Sequence, residues 1–206
     1  ILQLVKLTGG KMPGIKIISG RRFMARFPTR IRRMTRRSLE RRDIEILEQG
    51  YVKEIKSGAV TMESGQQHTF DLIFLALGVK PSPVFEKSGL PVGPDGGLLV
   101  NRYLQSDSYP EIFGGGDCIY FTEQPLDKVG VYAVRENPVL FNNLMAALEG
   151  KELEPFDPGG DYLLIFNLGG NKGILRKSFI TFGGNIAFKI KDYIDRKFMR
   201  KFQSIE

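Results

Sequence analysis

Residues 107–118 read Asp107-Ser108-Tyr109-Pro110-Glu111-Ile112-Phe113-Gly114-Gly115-Gly116-Asp117-Cys118, and the reading of this stretch decides how the rest of the chain is organised. A short apolar run ends in three glycines and a carboxylate. That is the form of a buried strand whose end must approach a ligand with bare backbone. Asp117 then stands where it can accept hydrogen bonds from hydroxyls. Taken alone, the same residues describe equally well a tight turn in which Asp117 caps the following segment. The surrounding chain separates the two readings.

Upstream, Leu72-Ile73-Phe74-Leu75-Ala76-Leu77 is almost continuously apolar and predicts a central strand buried on both faces, stopping at Gly78. Lys80-Pro81-Ser82-Pro83 follows as an extended connection, and residues 98–100 form a short strand. Before the apolar run, residues 51–56, 59–63 and 67–70 read as an antiparallel meander broken by Ser57-Gly58 and Ser64-Gly65 turns. Earlier still, residues 14–20 are a β-branched strand between glycines, and Pro28 or Thr29 can open a helix ending near Arg42. Ile31, Met34, Ser38 and Leu39 keep its one apolar face. Residues 44–47 alternate as a further strand, and strand, helix, strand in that order predicts a parallel sheet.

Downstream of Cys118 a polar loop runs to Lys128. Gly130 then opens a helix carrying Val131, Val134, Leu140, Leu144 and Leu148, ended by Gly150. Residues 155–160 are a linker. Residues 162–167 and 173–176 make a hairpin, residues 179–182 add a strand, and Gly183-Gly184 release a final helix. In that helix Ile186, Ile190, Ile194, Phe198 and Phe202 recur every four residues beside Tyr193, which predicts a broad apolar surface. There is no internal repeat.

The 206 residues, with a formal charge of +7, suffice for a proper core, and composition excludes a disordered or collagen-like chain. One cysteine and one histidine exclude a disulfide framework, an internal redox pair and a zinc constellation. No apolar run reaches the roughly 20 residues needed to cross a bilayer, and the opening residues lack the charged region, apolar core and cleavage site of a signal peptide. These features fit a cytoplasmic protein, at most peripheral to the inner face of a membrane. Arginines crowd residues 21–42, while the middle of the chain is near balance. The chain opens on Ile1 rather than Met, and Ile1-Leu2-Gln3-Leu4-Val5-Lys6-Leu7 reads as the end of an amphipathic helix, which predicts that sequence is missing upstream.

Four segments resemble, in order and spacing, the pyridine nucleotide-disulfide oxidoreductase superfamily. They are residues 71–78, the turn-strand unit through Leu104-Gln105-Ser106, residues 109–118, and Val129-Gly130-Val131-Tyr132-Ala133. Within it the chain is similar to the type II NADH dehydrogenase group, nearest to the dehydrogenase-like proteins that some bacteria carry fused or adjacent to selenide, water dikinase. Residues 191–199 resemble the C-terminal helix of those proteins. The resemblance implies an α/β fold, the distal part of a flavoprotein with two dinucleotide-binding domains and a three-stranded meander, plus a C-terminal hairpin and helix subdomain. The implied boundaries are 1–79 for the distal NAD(P)H domain, 80–154 for the distal FAD domain and 155–206 for the C-terminal subdomain.

It also implies site residues. Asp117 matches the carboxylate that meets the ribityl chain of FAD, with Gly115 and Gly116 giving clearance. The helix opening at Gly130 would aim the backbone N–H groups of Val131 and Tyr132 at the flavin pyrimidine edge. Gly78 matches the glycine ending the last nucleotide-domain strand. Lys128 either assists at the flavin or is an exposed loop lysine, and Cys118 reads as packing. Residues 17–20 would be the second nucleotide-domain strand, and its tip offers Ser19, Gly20, Arg21 and Arg22 where an acidic residue commonly meets the ribose, which favours the 2′-phosphate of NADPH. His68 reads as a surface residue. Both glycine-rich phosphate cradles of such enzymes are absent, so the chain alone is expected to bind FAD weakly or not at all.

The function implied is transfer of hydride from NAD(P)H to flavin and of electrons on to a quinone or other small acceptor. The missing N-terminal part of the same protein would be its first partner. No residue is required as a general acid or base, so none is named catalytic. A selenium- or sulfur-linked redox enzyme of the same superfamily is one alternative, and a nonenzymatic basic binding module is another. The final helix, basic and apolar together, either packs on the protein or rests on a membrane. The arginine-rich helix reads as a solvated face, as a partner or membrane surface, or as a nucleic-acid surface, and its lack of interleaved aromatics argues against the last.

Overall fold

The computed structural model describes Gly9 and residues 12–203, with side chains through Arg200. The expected helix tail at residues 1–7 lies outside the described residues, and so does the Phe202 side chain. In chain order the elements are β1 (Ile15–Ile18), α1 (Thr29–Glu40), β2 (Ile44–Leu47), β3 (Val52–Lys56), β4 (Ala59–Met62) and β5 (Gln67–Thr69). There follow α2 (Val84–Lys87), β6 (Leu98–Val100), a 3-10 turn at Gly116–Cys118, β7 (Ile119–Phe121) and α3 (Gly130–Glu149). The chain finishes with β8 (Leu164–Gly169), β9 (Lys172–Lys177), β10 (Ile180–Gly184) and α4 (Asn185–Gln203). This is the α/β class expected, with parallel and antiparallel pieces.

Two compact units result, one of the described residues up to Phe74 with those from Asp161 onward, the other of residues 75–160. In the first unit β1 and β2 pair in parallel, Ile15 opposite Ile44 and Ile18 opposite Leu47, as strand-helix-strand order requires. The meander forms as an antiparallel sheet in the order β3-β4-β5, with Val60 and Met62 buried. The sheet of β8, β9 and β10 is antiparallel with β9 in the centre, and both its faces are covered. Gly183, opposite Ile174, leaves room for Met34 of α1, whereas Gly173 faces the backbone of Ala187 and Phe188 in α4. Directly opposed residues share a face and neighbours along a strand alternate, so α1 and α4 lie on opposite faces of this sheet.

The second unit is built on β6 and β7, parallel, with Leu98 opposite Ile119 and Val100 opposite Phe121. Leu98, Val100, Leu104, Ile119, Phe121 and Phe156 form its core, Phe156 meeting Phe121 edge-on at 5.5 Å. α3 runs from Gly130 to a left-handed Gly150, as its sequence predicts. Asn143, fully buried, clamps the chain beyond it. Its amide donates to the carbonyls of Tyr103 and Glu154 at 2.9 Å and accepts from Glu154 N–H at 2.8 Å.

Two expectations are corrected. Residues 72–77 form no strand, and Leu72, Phe74, Leu75 and Leu77 are 68%, 71%, 61% and 85% exposed. A strand needs neighbours to take its N–H and C=O groups, and among the described residues β1 and β2 pair only with each other. The strand at the glycine-rich stretch follows the glycines instead of ending in them: Phe113 makes only an isolated bridge to Gln105, and Ile119–Phe121 is the ladder. Ile119 and Phe121 have side chains to bury on β6, which Gly114, Gly115 and Gly116 lack.

Candidate cofactor site

The corner between Phe113 and β7 presses against α3 in the second unit, and glycine permits it. A side chain at Gly115 would lie 3.1 Å from Leu140 Cδ2 and 3.3 Å from Glu136 Oε2. Gly116 takes φ +75, a left-handed conformation, as it enters the 3-10 turn. The turn leaves Asp117 half-buried on a water-sized recess shared with Gly116, Lys128, Tyr132 and Glu136. Among the described residues the Asp117 carboxylate has no hydrogen-bond or ion-pair partner. Both of its oxygens are open to donors such as ribityl hydroxyls, which fits a flavin tail.

Glu136 is the residue that sequence reasoning missed. It lies on α3 at 2% exposure, and its Oε2 accepts from Gly116 N–H. Burial pushes its carboxyl above the ordinary value. The Gly116 donor and the Lys128 charge act against the rise, and Asp117 adds to it. Its position shared a signal with Asn143, since each falls three or four residues from Val139 and Leu140 on the helix face that packs inward. A polar group on an apolar stripe marks a constructed contact.

Lys128 is neither an exposed loop lysine nor an open cation. It donates to the Ile119 carbonyl and pairs with Asp95 Oδ2 at 3.0 Å, with 17% of its side chain exposed. Burial works against ionised Asp95, but the Gly97 N–H and Lys128 hold its carboxyl below the usual range. At the start of α3 the Tyr132 N–H, expected to be open, bonds the Val129 carbonyl at 3.1 Å, while Val131 N–H has no backbone acceptor among the described residues. Cys118 Sγ donates to the Gly115 carbonyl at 3.1 Å, a local tie within the turn.

The structure brings Gly116, Asp117 and Tyr132 together on one recess with Glu136, sets Gly115 against Glu136 and Leu140 further along α3, and leaves Gly130 and Val131 at the opening of the helix. Gly78 has φ +86 with nothing within 4 Å of its Cβ position, so backbone conformation alone calls for glycine there. Arg21 and Arg22 follow β1 in the first unit. The Arg21 guanidinium lies 5.5 Å from the Tyr51 ring centroid, and Arg22 is exposed. His68 Nε2 lies 3.2 Å from Gln49 Oε1, a surface pairing. Among the described residues no group of His, Cys, Asp and Glu could hold a metal, and no helix is long and apolar enough to cross a membrane.

Residues 15–141 match the family described as pyridine nucleotide-disulphide oxidoreductase. The chain belongs to that family. Ferroptosis suppressor protein 1 of Xenopus laevis is 33% identical over 106 residues, covering 50% of this chain and 27% of that relative. The internal alternative NAD(P)H-ubiquinone oxidoreductase A1, mitochondrial, of Arabidopsis thaliana is 24% identical over 70% of this chain and 30% of its own length. The FAD-dependent oxidoreductase FVFD30 of Flammulina velutipes is 28% identical over 72% of this chain and 46% of its own length. The chain thus spans less than half the length of each of these relatives. Among solved structures, the sulfide:quinone oxidoreductase of Aquifex aeolicus superposes with a TM-score of 0.67 at 16% identity, over 97% of this chain and 52% of that one. That likeness supports the fold.

Proposed function

We propose that this chain is the distal part of an FAD-dependent NAD(P)H oxidoreductase, with the glycine corner at the start of α3 forming part of its flavin site. The observation that carries this reading is the unengaged Asp117 carboxylate, set on a glycine corner at the N-terminus of a 20-residue helix. Asp117 accepts hydrogen bonds from the ribityl hydroxyls, and Gly115 and Gly116 keep side chains out of the way. The Val131 N–H, without a backbone acceptor among the described residues, would offer partial positive charge to an anionic reduced flavin held there. Bound there, FAD would take hydride from the nicotinamide and pass electrons to a quinone or another small acceptor.

The relatives' names favour a quinone acceptor, since one of them is an NAD(P)H-ubiquinone oxidoreductase. The exposed run at residues 72–77 fits a strand whose neighbours belong to upstream sequence of the same protein. Arg22, exposed and without a partner among the described residues, and Arg21 beside it favour NADPH. The test uses the protein with its upstream sequence. Anaerobic NADPH should bleach the flavin absorbance, and a soluble quinone should restore it. Exchanging Arg21 and Arg22 for Gln should raise KM for NADPH by about tenfold and spare NADH. A flavin that nicotinamide does not bleach, or that quinone does not reoxidise, rejects the reading.

A further inference from the structure

One face of α1 packs on the protein and one stripe is bare. Ile31 and Thr35 are buried, and Met34 meets the β8–β10 sheet. Arg36 pairs with Glu48 at 2.6 Å, its guanidinium 5.7 Å from the Phe23 ring centroid. Arg32 donates to Thr29 Oγ1 at 3.1 Å, and Arg42 donates to the carbonyls of Leu168 and Gly169. Four arginines remain. Arg30, Arg33, Arg37 and the C-cap Arg41 are exposed, and among the described residues their side chains make no hydrogen bond or ion pair. Spacings of three and four residues put them in one line along about 16 Å of helix.

Like charges stacked on one helix face oppose helix formation, so folding does not account for the stripe. The only acid on α1 is Glu40, and the first turn has none. We propose that the Arg30–Arg33–Arg37–Arg41 stripe is a contact surface for the phosphate headgroups of an anionic membrane. Guanidinium is the side chain best shaped for phosphate, and clustered basic residues are drawn to an anionic leaflet. Arg32, Arg36 and Arg42 are already engaged, which leaves the free arginines of α1 and its C-cap in a single row that a flat surface meets all at once. α1 carries no aromatic residue on which bases could stack and no Asn or Gln to read their edges, so the surface suits lipid better than nucleic acid. α4 lies on the opposite face of the β8–β10 sheet, which makes this contact separate from the apolar outer side of the final helix.

The test is cosedimentation of the full chain with phosphatidylcholine vesicles, with and without phosphatidylserine. Binding is expected only with phosphatidylserine and should weaken with salt. Exchanging all four arginines for Gln should lower the partition coefficient by about 100-fold, and exchanging them for Lys should keep most of it. Ser at Tyr193 and Ile194 should leave it unchanged. Equal binding to neutral vesicles, or a Gln variant that binds like the parent, overturns the proposal. So does a chain that ignores vesicles but binds duplex DNA or RNA through the same arginines.

Discussion

Two apolar runs meet opposite fates in this chain. Leu98 and Val100 on β6 are 1% and 0% exposed, and their partners Ile119 and Phe121 on β7 are 3% and 2% exposed. Leu72, Phe74 and Leu77, which read as the stronger strand, are 68%, 71% and 85% exposed. The difference is the partner. β6 finds a parallel neighbour and a lid in Phe156, whereas residues 72–77 find no ladder among the described residues. Apolar content states what a strand can bury, and the neighbouring backbone decides whether it does.

The contrast can be broken by substitution. In the buried core around β6 and β7, Leu104→Ala should have the largest effect, a loss of about 3 kcal/mol of unfolding free energy from a fully buried side chain. Asn143→Ala should follow at about 2 kcal/mol, because it orphans the Tyr103 and Glu154 backbone groups. Urea midpoints for both check this, and losses under about 0.5 kcal/mol would show that the second unit is not held as described. Glu136→Gln sharpens the picture through pH. The folded carboxyl sits above its free value of 4.5, so the folded state binds more protons in that window. The contribution of Glu136 is then full below pH 4.5 and is lost as pH rises through the folded value. The Gln variant should escape that loss and gain melting temperature relative to the parent as pH rises, and parallel pH profiles would refute it. Smallest of all, Leu75→Ser in the exposed run should change stability of this chain by less than about 0.5 kcal/mol and should reduce aggregation. A large loss would mean that the run is packed after all.

Much of this architecture was legible. Pro28 or Thr29 as a helix start, Gly130 and Gly150 as helix ends, and the Ser-Gly turns of the meander carry local backbone chemistry that acts wherever the chain goes. The reading failed where the outcome depended on distant backbone, at residues 72–77 and at the strand beyond the glycines. The site divides in the same way. Asp117 stood out as a candidate because a carboxylate after three glycines is unusual in itself. Glu136 was not, because its meaning arises only when α3 lies under Gly116. The exposed-loop reading of Lys128 failed for a similar reason, since Asp95 and the Ile119 carbonyl reach it only in the folded unit.

The central claim is that Asp117 and its glycine corner hold a flavin tail. Titration of FAD into the protein extended by its upstream sequence, followed by flavin fluorescence quenching, tests it most directly. The account predicts tight binding, weakened by about tenfold or more in Asp117→Ala through loss of a charged hydrogen-bond acceptor. It is contradicted if Asp117→Ala binds FAD as the parent does while circular dichroism shows the fold unchanged.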